Sequence, residues 1–219
     1  MENVFNMLDG TAALMCARDA DTGDLVRAVQ IAIDNSVRQI SVEASAVSVV
    51  WPWLENTDIE IAARITPDMT DAVDACISDL SVRVKKLFKQ GASTAQIFVR
   101  RDSLALFADA IAPIRDDLFF NKKLSVALDL ADCAGNWGAV FDALHMMRAD
   151  SVLLTLTRDS GDKSQFVGWI YDLMQTTCQW HGALHFALGK NPMRIEQVQR
   201  LARAMKKEAL AKSLFFVNN

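Results

Sequence analysis

The sequence is poor in the residues that mark several protein classes. Its 4 prolines and 9 glycines in 219 residues are too few for a collagen-like or low-complexity chain. Its 4 cysteines, Cys16, Cys76, Cys133 and Cys178, lie far apart and form no CxxC pair. That pattern argues against a disulfide framework or a zinc ribbon, and for reduced, packed thiols in a cytoplasmic protein. No apolar run is long enough to span a bilayer, and the N-terminus lacks the basic start and apolar stretch of a signal peptide. Neither sign of charge dominates, with 23 basic against 27 acidic residues, so neither nucleic acid nor an anionic membrane is expected as a partner. No cofactor is expected. No linker or shift in composition divides the chain, which reads as one domain over residues 1–219.

What the sequence does have is a beat. Short apolar, β-rich runs recur at 12–17, 39–45, 59–65, 95–101, 124–131, 151–157, 183–188 and 213–217, with helical patterns between them. Such alternation demands parallel strands joined by helical crossovers. Eight units of this kind close into a (β/α)8 TIM barrel, here expected to lack the final helix because the last strand meets the end of the sequence. The helices carry their own signals. Asp21 and Thr22 cap the first, and Val84, Leu87 and Phe88 belong to a strictly spaced stripe that Gly91 ends. Asp102 and Ser103 open a helix that Pro113 should end or bend. Asn136, Ser164 and Asn191 can cap later ones.

Side chains of a barrel strand alternate between the interior and the helix layer. The helix-facing side must be bulky and apolar, so the small or polar sets point inward. These are Ser41, Glu43 and Ser45; Glu60, Ala62 and Arg64; Ser125, Ala127 and Asp129; Ser151, Leu153, Thr155 and Thr157; and Ala183, His185 and Ala187. Glu43, Arg64, Asp129 and His185 thereby become the candidate catalytic residues. A carboxylate, Asp129 or Glu43, would accept a proton, His185 would donate one, and Arg64 would steady an oxyanion. An ion-pair network that only neutralises interior charge accounts for the same residues. So does a metal site built from Glu43, Asp129 and His185.

Loops at the strand ends add candidates for substrate binding. Trp51-Pro52-Trp53 follows the second strand and reads as a rigid aromatic lid or ligand-stacking surface, or as cover for the barrel top or a subunit contact. Arg101 ends the fourth strand and can hold an anion. Thr155, Thr157 and the polar loop 158–163 follow the sixth. Lys190 precedes a helix start that can take a phosphate. Cys133, at the end of the fifth strand, has no neighbouring histidine in sequence and reads as packing.

The order of segments resembles the deoxyribose-phosphate aldolase family, class I aldolases on a TIM barrel. ALMCARDADTGDLVRAVQIAIDNSVRQISVEASAV is similar in layout to that family's first strand, acidic turn, first helix and second strand. KQGASTAQIFVRR, KKLSVALDLADC, MRADSVLLTLTRDSG and GALHFALGKNP follow in family order. The resemblance implies a Schiff-base lysine on the sixth strand, a second lysine on the seventh that lowers its pKa, and an aspartate on the fourth. Alignment places Leu153, Phe186 and Ile97 at those positions, and Lys190 is the one lysine near that end of those two strands. The family's Gly-Ser-rich phosphate turn after strand eight is also missing. The expectation is therefore a divergent aldolase-like barrel. It would act as a lyase or isomerase on a small carbonyl or sugar-like compound without Schiff-base chemistry, or as a non-catalytic binding or assembly protein. Self-association into a homo-oligomer is expected through Leu214, Phe215 and Phe216, left bare where no eighth helix covers them, with Glu2–Leu8 as partial cover.

Overall fold

The computed structural model describes residues 5, 8, 11–67, 73–116, 118, 121–156, 163–189, 192–206 and 213–218. Eight parallel strands close a barrel in sequence order. They are β1 (Ala12–Met15), β2 (Gln39–Glu43), β3 (Glu60–Ile65), β4 (Thr94–Phe98), β5 (Lys123–Asp129), β6 (Ser151–Thr155), β7 (Ala183–Ala187) and β8 (Phe215–Asn218). The barrel closes through β1 and β8, where Ala13 pairs with Phe216. The helices are α1 (Thr22–Asp34), α2 (Val47–Leu54), α3 (Val73–Lys89), α4 (Leu104–Asp116), the short α5 (Leu130–Cys133), α6 (Trp137–Met146), α7 (Lys163–Thr176) and α8 (Pro192–Ala204).

Local chemistry explains several of these boundaries. Asp21 and Asp24 form a reciprocal capping box at the start of α1, each accepting the other's backbone N–H. The helix then buries Leu25, Ala28, Val29 and Ala32 against the strands. Gly91, at φ +109°, turns the chain from α3 into β4. That conformation favours glycine, and a β-carbon there would also strike the Trp51 ring at 2.3 Å.

The core has two parts. The outer part lies between the strands and the helices. The inner part fills the barrel axis with Ala13, Ala127, Leu153, Ala187 and Phe216, joined by Met15, Phe98 and Leu214. The inner set contains members of the predicted inward sets, and cross-strand bonds between Ser41 and Gln96 and between Gln39 and Thr94 place further inward residues.

Three expectations change. Trp51-Pro52-Trp53 is not a turn over the barrel mouth but the second half of α2, which runs back toward the strand starts. Burial of Val47, Val50 and Leu54 holds this helix despite Pro52 within it. Pro113 likewise lies inside α4, which continues to Asp116. The outer face of β8 is not bare. Phe215 stacks on Phe186 at 5.5 Å between ring centroids, Phe216 points into the barrel, and Phe5 and Leu8 join the outer core.

Candidate functional site

The C-terminal ends of the strands carry four of the predicted residues. Glu43 and Arg64 are register partners at the ends of β2 and β3. Arg64 is 4% exposed. Its Nη1 donates to the Cys16 carbonyl at 2.7 Å and its Nη2 to that of Ala17 at 3.2 Å. Its Nε lies 3.1 Å from Glu43 Oε1 as an ion pair, without hydrogen-bond alignment. Burial pulls the Arg64 pKa down, and the Glu43 carboxylate pushes it back up. The guanidinium thus ties the end of β1 to β2 and β3.

Asp129 and Thr155 are register partners at the ends of β5 and β6. Asp129 caps α5, accepting the Ala131 N–H at 2.8 Å. Thr155 is buried and donates to the Leu128 carbonyl at 3.1 Å. Both side chains therefore hold local backbone as well as facing the barrel end.

Arg101 stands just beyond β4. It is paired with Asp102 at 2.8 Å and donates to the Asp132 carbonyl at 3.1 Å. Arg18, which sequence reasoning missed, lies over the Phe98 ring at 5.6 Å. Its position in the β1–α1 connection gave no periodic signal. The Cys133 thiol is buried and pushed up to about 12, first by desolvation and then by Asp132 and Asp129. Cys16 is held at about 11, again mainly by burial. Neither is an activated nucleophile.

His185 is separated from this group. It points inward, as its alternation requires, but toward the strand starts. Its Nδ1 accepts the Leu214 N–H at 3.0 Å, and its ring meets Phe216 edge-on. It lines a cavity with Gln39, Glu60, Thr94 and Lys123, all from the first turns of their strands. Burial depresses the imidazole pKa to about 4, with the Lys123 charge adding to the effect against a backbone hydrogen bond. The proposed four-residue cluster is therefore divided. Among the described residues no three His, Cys, Asp or Glu side chains converge to hold a metal, so Glu43, Asp129 and His185 do not form one ligand set. The inward alternation that found His185 also marks Thr94, Gln96 and Lys123, had it been carried through β4 and the start of β5.

Trp51 is not a mouth residue. It packs over Gly91, beside the start of β4. Thr157, Lys190 and the loop 158–162 lie outside the described residues. Leu153 is inward and fully buried in the apolar inner core. Ile97 and Phe186 belong instead to the outer core. They therefore cannot stand at inward positions. The inward residues beside them are Gln96 and Phe98 on β4, and His185 and Ala187 on β7.

No family model matches the sequence, and no curated protein matches it. Solved structures do match by shape. A provisionally identified deoxyribose-phosphate aldolase from Coccidioides immitis superposes with a TM-score of 0.69 at 15% identity, over 97% of this chain and 82% of the other. The tetrameric deoxyribose phosphate aldolase from Aeropyrum pernix gives 0.65 at 12% identity, over 100% and 93%. This chain has the aldolase-like barrel fold. Triosephosphate isomerase from Bartonella henselae also matches, with a TM-score of 0.52 at 12% identity over 95% and 92%, so the likeness extends across TIM barrels. At these identities it concerns the fold alone. No helix among the described residues is long and apolar enough to cross a membrane.

Proposed function

We propose that this chain is an aldolase-like barrel that works without Schiff-base chemistry, as a binding or assembly protein. The observation that carries this reading is the state of Arg64. It is buried, and its Nη1 and Nη2 are taken by carbonyls of β1 and its flank, with Glu43 beside Nε. Such an arginine stabilises a strand junction and has little left to offer a substrate anion. Leu153, fully buried on the axis of β6, supports the same reading, because a Schiff-base amine needs an open approach.

The assembly half of the proposal rests on another surface than the β8 flank. Val26 and Ile33 on α1, and Val49 and Trp53 on α2, are large apolar side chains left exposed on adjoining helices. A homo-oligomer that covers them is the arrangement we favour. The free thiols of Cys16, Cys133 and Cys178 accord with the cytoplasm as its compartment.

A second reading has one observation in its favour. The Glu43 side chain is 29% exposed next to the Arg64 cation. A carboxylate so placed can take a proton from a small carbonyl or sugar-like compound, in lyase or isomerase chemistry, with Asp129 and Thr155 at the same end of the barrel. Borohydride trapping with glyceraldehyde, followed by mass spectrometry of the intact chain, tests the first reading. The expected result is an unmodified protein. A single stoichiometric lysine adduct, at Lys190 above all, overturns it.

A further inference from the structure

The end of a TIM barrel where the strands begin is ordinarily the end that serves stability. Here it contains a cavity of about 570 Å³, the size of a small-molecule site. Its inner wall is polar: Gln39, Glu60, Thr94, Lys123, Ser151 and His185. We infer that this cavity is a binding site for a small, neutral, polyhydroxylated molecule, a sugar or polyol. The inference goes beyond the reading above and concerns the opposite end of the barrel.

The charge balance points to a neutral guest. Lys123 is paired with Glu60 at 2.8 Å, and Asp150 is paired with Arg115 at 3.1 Å. Arg38 and Asp58, also in the lining, add one charge of each sign. A charged ligand would enter with no counter-charge waiting for it, and would bear the cost of desolvation alone. The buried imidazole is neutral at physiological pH. Because Nδ1 accepts the Leu214 N–H, the neutral ring carries its proton on Nε2.

The barrel interior next to the cavity lining adds an independent observation. One inward position above Thr94 and Lys123 stand Gln96 and Ser125, both fully buried. Ser41 donates to Gln96 Oε1 at 2.6 Å, but Gln96 Nε2 and Ser125 Oγ have no hydrogen-bond partner among the described residues. Unpaired buried polar atoms are costly, so a native interior supplies them with hydroxyls or ordered water. The wall carries donors and acceptors together: the Lys123 ammonium and the His185 ring N–H donate, the Glu60 carboxylate accepts, and the Thr94 and Ser151 hydroxyls do both. Hydroxyl groups on a compact carbon frame answer that pattern.

The test uses the full chain, labelled with carbon-13 and nitrogen-15, titrated with D-glucose, D-xylose and glycerol at millimolar concentrations. D-gluconate and glucose 6-phosphate serve as charged counterparts. The expected result is saturable shifts of the His185 ring and of the Gln39 and Gln96 amide side chains, with the charged compounds weaker by at least about tenfold. Ala183→Leu fills the cavity and leaves every hydrogen bond in place, and it should weaken the response by about tenfold or more. If that variant does not fold, Thr94→Val, which removes a hydroxyl from the wall, takes its place and should also weaken the response. No response at this end with any neutral probe overturns the inference. So does a preference for the charged compounds, or shifts confined to Glu43 and Arg64. None of these outcomes depends on the lysine-trapping result.

Discussion

Arg64 joins three strands through one side chain. Replacing it with methionine keeps much of the volume but leaves the Cys16 and Ala17 carbonyls without their donors and Glu43 without its cation. A loss of about 3 kcal/mol is expected in urea unfolding. Glu43→Gln should cost less, because the two carbonyl bonds survive and the carboxylate is partly solvated. If Arg64→Met unfolds with wild-type stability, the guanidinium is not structural and the second reading of the site gains ground. His185 supplies a pH signature. Its folded pKa of about 4 lies below its ordinary 6.5, so folding favours the neutral ring. That contribution is fully present above pH 6.5 and is lost as pH falls through 4, by up to about 3 kcal/mol. Unfolding of wild type and His185→Gln at pH 7, 5.5 and 4.5 should show the difference between the two shrinking with acid. Parallel curves would contradict the buried, neutral imidazole. Among Cys16, Cys133 and Cys178, iodoacetamide at pH 8 should label Cys178 first, because it is exposed while the other two are buried thiols held at about 11 and 12.

At the scale of elements, the contact between α2 and the α3–β4 turn is the most constrained. Trp51 covers Gly91, and Gly91 holds a backbone angle that favours glycine. Gly91→Ala combines left-handed strain with a clash against the indole, and about 2–3 kcal/mol of destabilisation is expected. Trp51→Ala in the same chain should recover the clash but not the strain, so the double variant should be more stable than the sum of the singles predicts. Strict additivity in thermal unfolding would mean that the ring moves aside without cost. The capping box of α1 is an exposed and simpler case, and Asp21→Ala should cost about 1 kcal/mol.

At the scale of the whole molecule, the barrel closes without help from a partner at β8, since Phe215, Phe216 and Val217 are all buried within the chain. Self-association, if it follows our proposal, runs through α1 and α2. Light scattering at micromolar concentration should give more than the monomer mass, and Trp53→Glu should return the monomer with its circular dichroism unchanged. A monomeric wild type would leave the binding function without assembly.

The sequence by itself determined the number and order of the strands, the parallel barrel, and which side chains of most strands point inward. These are local matters: the period of two and the need to bury the bulky face are written in each strand alone. Alignment to the aldolase family set Ile97 and Phe186 at functional positions, yet both side chains face the helix layer, and with a period of two a slip of one position is enough to move a residue from the axis to that layer. Height along the barrel axis was not legible. Asp129 and His185 are both inward, yet one caps a helix at the strand ends and the other faces a cavity at the strand starts. That separation depends on how eight strands are staggered when the sheet closes, and no single strand encodes it. The course of α2 was decided in the same way. Packing of Val47, Val50 and Leu54 against the barrel overrides Pro52 and carries Trp51 to the far end, where only the folded molecule brings it against Gly91.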